Sequence, residues 1–80
     1  MTPQQQAAAG LTHLKDAIVD YLAQHPDGVR HSQIVTDLGL QSDFEGKQKN
    51  YLSWSVVGLL IAERRVRYER RGSAKIYFRV

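Results

Sequence analysis

The spacing of hydrophobic positions changes along this chain, and the changes divide it into elements. Leu11, Leu14, Ile18, Tyr21 and Leu22 recur at i, i+3, i+7, i+10 and i+11, one face of an α-helix. Lys15, Asp16, Asp20 and Gln24 fall mostly on the other face, so the pattern predicts a helix over 11–24. Pro26 ends it, because the residue before a proline avoids the α region. Pro26, Asp27 and Gly28 form a turn, and Gly28 can take a positive φ. Val29 and Arg30 read as one short strand. Ser32 is a good N-cap for a second helix over 33–38, where Ile34, Val35 and Leu38 have helical spacing. Gly39 is the residue type that closes a helix, and Leu40 is placed to make the apolar contact that accompanies such a stop.

Residues 41–49 are polar except for Phe44, and read as a loop, with room for a helical turn capped by Ser42 or Asp43. Phe44 is expected to pin this loop to the core. A third helix is predicted over about 48–63. On a wheel with Leu52 at zero, Val56 and Leu59 cluster within roughly 40° and Leu60 lies nearby, which makes this the expected core side. Trp54, Val57 and Ile61 lie about 140–200° away, where a surface helix is normally polar. Beyond the helix the period drops to two. Val66, Tyr68, Ile76, Phe78 and Val80 are predicted to face inward on an antiparallel hairpin that turns at Gly72-Ser73. Ahead of all this, residues 1–10 have a helix-forming composition but no apolar anchors. They read as a flexible or partly helical segment preceding one domain over 11–80.

Eighty residues bury only a modest core. The chain lacks cysteine, so it has neither a disulfide framework nor a thiolate metal site, which fits a reducing, cytoplasmic setting. No apolar run approaches the ~20 residues that span a bilayer, and the Gln-rich start lacks the basic residues of a signal peptide. The net charge of +3 is unevenly placed. Residues 1–40 carry two basic and four acidic side chains, a net of −2; residues 41–80 carry nine and four, a net of +5. One basic end of this kind suits a polyanionic partner.

The order helix, short strand, helix, loop, helix, hairpin resembles the winged helix-turn-helix fold, of mixed α+β class. The resemblance covers residues 11–80. It rests on the Pro26-Asp27-Gly28-Val29 entry, Ser32-Gln33-Ile34, Leu38-Gly39-Leu40, the longer third helix and the basic C-terminal hairpin, or wing. The opening of the third helix, through Asn50, Trp54 and Leu59, resembles the N-terminal winged-helix module of Mrr-type restriction systems. The resemblance implies double-stranded DNA as partner, with the third helix in the major groove and the wing on the backbone or in the minor groove. A small transcriptional regulator or accessory factor is the expected role.

Applied to these residues, Lys47, Gln48, Lys49, Asn50 and Ser53 surround the start of the third helix. A helix N-terminus there suits phosphate, and Gln48 and Asn50 are types that pair with adenine. Arg67, Arg70, Arg71, Ser73 and Lys75 form the wing, with more cations than edge protection needs. Arg30 and Ser32, with His31 between them, open the second helix, an end expected to touch the DNA backbone. Trp54, Val57 and Ile61 form an apolar face that the Ala7-Ala8-Ala9 segment, the wing or a second copy would cover, and are the expected association face of a homodimer. Trp54 is also a candidate for stacking on a base or sugar. The histidines have no metal-ligand spacing, and no nucleophile elbow, P-loop or carboxylate pair appears, so no cofactor, metal or catalysis is expected. Two other roles fit the pattern. One is a protein–protein module docking through Trp54, Val57 and Ile61; the other is binding of RNA or single strands through Tyr68 or Tyr77 with the wing.

Overall fold

A computed structural model describes residues 2–40, 43–44, 48–49 and 51–80. The chain is α+β, with helices α1 (Pro3–Ala23), α2 (His31–Leu38) and α3 (Tyr51–Ala62). Its strands are β1 (Asp43–Phe44), β2 (Gln48–Lys49), β3 (Val66–Arg71) and β4 (Ala74–Arg79). The strands form two antiparallel pairs, β1 with β2 and β3 with β4. Among the described residues, no helix is long and apolar enough to cross a membrane.

α1 begins earlier than its apolar face predicts. Thr2 accepts a hydrogen bond from the Gln5 N–H, the Gln5 side chain accepts one from the Thr2 N–H, and Pro3 stands just inside. This capping box starts the helix, and it runs through Gly10 without a break. Residues 2–8 and 10–13 remain exposed, and the face that meets the core begins at Leu14 and includes buried Ile18, Tyr21 and Leu22. The turn after it depends on Gly28, whose φ is 85°. A Cβ there would lie 2.4 Å from Ile76 Cγ2 and 2.6 Å from Phe78 Cε1.

The short strand at Val29 is a single bridge: its N–H and C=O both bond to Tyr77, at 3.1 and 2.8 Å. Arg30 keeps extended angles but serves as the N-cap of α2, so Ser32 lies inside the helix and is not its cap. Gly39 ends α2 at φ 67°, the Leu40 N–H reaches back to the Val35 carbonyl, and Leu40, partly buried, packs against the core, the apolar contact expected of it. The stretch that read as a loop with room for a helical turn instead contributes the β1–β2 pair, in register Asp43 with Lys49 and Phe44 with Gln48. The side chain of Phe44 lies outside the described residues, and α3 starts at Tyr51, not near 48.

The core lies between the three helices and the base of the β3–β4 hairpin: Ile18, Leu22, Ile34, Val56, Val57, Leu60, Val66 and Tyr77 are buried together. Val57 is 1 % exposed and Ile61 packs against this cluster, whereas Leu52 and Leu59 are each 43 % exposed. The predicted faces of α3 are therefore displaced around its axis: Val57 and Ile61 belong to the core, and Leu52 and Leu59 lie outside. The hairpin also differs in phase. Gly72 and Ser73 form a two-residue turn that pairs Arg71 with Ala74, which places Tyr68 opposite Tyr77 and Arg67 opposite Phe78. Ile76 and Phe78 thus share a face with Arg67 and Glu69, not with Val66 and Tyr68. Tyr68 is half exposed, and Val80 is exposed.

Polar contacts fix how the helices meet. Lys15 with Glu63, and Arg65 with Asp16, tie α1 to the end of α3. The Tyr21 hydroxyl donates to Asp37 across α1 and α2. Burial pushes the Tyr21 phenol up to about 12, and the Asp37 carboxylate adds to the shift, so the hydroxyl keeps its proton.

Candidate functional site

His31, the first residue of α2, anchors a cluster of aromatic rings that reaches the surface. The His31 ring is buried, 8 % exposed, with Nε2 2.9 Å from Ser53 Oγ on α3. Trp54, the next residue of α3, stacks on the imidazole at a centroid distance of 3.7 Å and an interplanar angle of 20°. Tyr77 stands edge-on to both, 6.5 Å from the His31 ring and 6.4 Å from the Trp54 ring. The Tyr68 ring follows Tyr77 at 6.1 Å. Four rings from α2, α3, β3 and β4 therefore form one continuous row. Burial holds the His31 imidazole below its ordinary pKa of 6.5, so the ring is neutral at pH 7. Burial, with the neighbouring Tyr68, raises the Tyr77 phenol above its ordinary 10.0 and keeps it protonated.

Above this row opens a cleft of about 330 Å³ between the start of α2 and the tip of the hairpin. His31, Trp54 and Tyr77 contribute rings to it; Arg30, Ser32, Ser73, Ala74 and Lys75 complete the lining. Among the described residues, no acidic side chain lines it. Trp54 lies open to it, 46 % exposed. Lys75 Nζ sits 4.8 Å from the centre of the Tyr68 ring, and the register sets Arg70 opposite Lys75 on the same face of the hairpin.

Four residues predicted from widely separated stretches, Arg30, Ser32, Ser73 and Lys75, thus meet at one cleft, with Arg70 beside it. The other predicted positions are placed differently. Arg67 and Arg71 lie on the opposite hairpin face, where both pair with Glu69 and both stand over the Phe78 ring, at 4.3 and 5.5 Å. The hydrogen bond from Arg67, helped by the positive charge of Arg67 and Arg71, holds the Glu69 carboxyl below the usual carboxylate range. Ser53 is wholly buried against His31, so it contacts no external ligand. His31 lines the cleft but is only 8 % exposed, its ring held between Ser53 and Trp54. Lys47 and Asn50 lie outside the described residues, as do the side chains of Gln48 and Lys49.

Sequence reasoning missed Ala74 as a cleft residue, and named Tyr77 only for the alternative of RNA or single-strand binding. The signal was present: counting outward from a two-residue turn at Gly72-Ser73 puts Tyr77 across from Tyr68 and Ala74 beside the tip.

A smaller hollow of about 150 Å³ lies behind the hairpin, between Leu22, His25, Pro26, Arg67, Phe78 and Arg79. Among the described residues no group of three His, Asp or Glu side chains converges as a metal site would require. The chain matches no family model, characterised protein or solved structure.

Proposed function

We propose that this chain is a winged helix-turn-helix protein that binds duplex DNA without catalysis, with the β3–β4 hairpin as its wing. One observation carries the reading. Arg30, Arg70 and Lys75, with the hydroxyls of Ser32 and Ser73, gather at the start of α2 and the tip of the hairpin. Among the described residues, neither Arg30 nor Arg70 nor Lys75 has an ion-pair partner. Unpaired cations with hydroxyl donors suit phosphate oxygens, which carry most of the affinity in protein–DNA complexes. Lys47, Gln48, Lys49 and Asn50, leading into α3, complete the proposed contact set, and Gln48 and Asn50 are its base-reading members.

A regulator or accessory factor of this design works as a homodimer. The outer face of α3 favours this, although at residues other than those predicted. Leu52 and Leu59 are each 43 % exposed, and α3 carries no charged side chain anywhere along its length. A second copy seated on Leu52, Ser55 and Leu59 covers that face.

Fluorescence anisotropy with labelled random-sequence duplex tests the DNA reading. Replacing Arg30 and Lys75 together with alanine should weaken binding to all duplexes alike. Replacing Arg67 and Arg71, which already pair with Glu69, should weaken it less. If the pair at the cleft can be removed without loss of affinity, the proposed surface is wrong.

A further inference from the structure

We infer that the cleft between α2 and the hairpin tip takes a single unpaired nucleotide of a DNA strand, its base laid on Trp54 and its phosphate held by Arg30 and Lys75. This rests on the duplex-binding reading above and adds a preference for duplexes in which one base is out of the stack.

The argument starts from the indole. One face of Trp54 is covered by His31 at 3.7 Å, yet the residue is 46 % exposed and lines the cleft, which leaves much of it open to a ligand there. His31 is fixed beneath it by Ser53, and Tyr77 stands at 68° to the indole plane, closing one side. The platform is therefore held rigid before any ligand arrives, and little ordering is left to be done on binding. A rigid aromatic plane open on one side accepts a second flat ring, and stacking of this kind tolerates any base.

The rim selects among flat rings. Arg30 and Lys75 supply positive charge, Ser32 and Ser73 supply hydroxyl donors, and among the described residues no carboxylate opposes them. A flat ring attached to an anion is the ligand that uses both features, and a nucleotide is that ligand. The volume of about 330 Å³ falls at the small end of the ~300–1,000 Å³ typical of small-molecule sites, room for one nucleotide and not for a stacked pair. A base inside an intact duplex keeps its faces against its neighbours, so only an unpaired or extruded one can reach the indole.

Trp54 is the sole tryptophan of the chain, so its fluorescence reports this cleft directly. The test compares a perfect duplex, the same duplex with one unpaired adenine, and free dAMP, by quenching and by anisotropy of labelled DNA. The bulged duplex should quench Trp54 and bind on the order of tenfold tighter than the perfect one. Trp54→Leu should bring that ratio to about one, and Trp54→Phe, which keeps a ring over His31, should retain part of it. Circular dichroism checks that both variants fold. Equal affinity for the two duplexes without quenching overturns the inference while duplex binding stands. A folded Trp54→Leu protein that keeps the full preference overturns it too. Quenching by dAMP with no preference for the bulge overturns the strand as the source of the nucleotide. Failure of both duplexes to bind at low salt removes the reading on which the inference rests.

Discussion

Gly28 meets two requirements that no other residue type satisfies together. Its φ of 85° belongs to the region where side chains strain the backbone, and Ile76 and Phe78 occupy the space a Cβ would need. Gly28→Ala is expected to destabilise the fold by about 2–3 kcal/mol, read as a lower urea midpoint at unchanged m. His31 makes the second argument at this scale. Burial lowers its pKa, so the unfolded chain binds the proton more readily than the folded one. The stability this ring contributes is therefore full above its ordinary value of 6.5 and is lost as the pH falls toward the folded-state value. Urea midpoints measured through that window should fall with pH, and His31→Phe should flatten the fall. An unchanged slope in the variant would assign the effect elsewhere.

The elements show where sequence patterns carry information and where they do not. The core-facing part of α1, the existence of α2 and its stop at Gly39 were legible, because polar residues break the apolar pattern or a glycine marks the end. The start of α1 was not, since its signal is a capping box at Thr2 and Gln5 and not an apolar stripe. α3 defeated the wheel for a different reason. It carries no charged side chain, so the pattern has no polar side from which to orient the helix. A tertiary contact does orient it: Ser53 turns inward to His31, and Val56, Val57 and Leu60 follow. The same rotation moves the exposed apolar positions to Leu52 and Leu59. If a second copy covers them, Leu59→Glu should give a monomer by light scattering with the fold intact by circular dichroism. A mass unchanged from the parent protein would remove this face from the interface.

For the hairpin, the basic character was legible and the division of its charges was not. Composition groups Arg67, Arg70, Arg71 and Lys75 together; the two-residue turn and the strand register separate them. Arg67 and Arg71 are occupied by Glu69 and Phe78 on one face, while on the other Arg70 stands opposite Lys75, which lines the cleft with Arg30. Single alanine replacements on the second face should each reduce the salt slope of DNA binding by about one, whatever the sequence of the duplex.

At the scale of the whole molecule, two surfaces share one helix. The floor of the cleft is Trp54, held by His31 and backed by Tyr77, and the outer face of α3 carries Leu52 and Leu59. Cations gather at the cleft side, and the outer face of α3 has none, so nucleic-acid contact and self-association need not compete. The central claim is that this basic side engages the phosphates of duplex DNA. Its most direct test is the affinity for a random duplex as a function of salt. Binding should be measurable at about 50 mM salt and should weaken linearly on a double-logarithmic plot, with a slope near −0.9 for each phosphate engaged, about −3 for Arg30, Arg70 and Lys75 together. Absence of binding at low salt, or an affinity indifferent to salt, would contradict it.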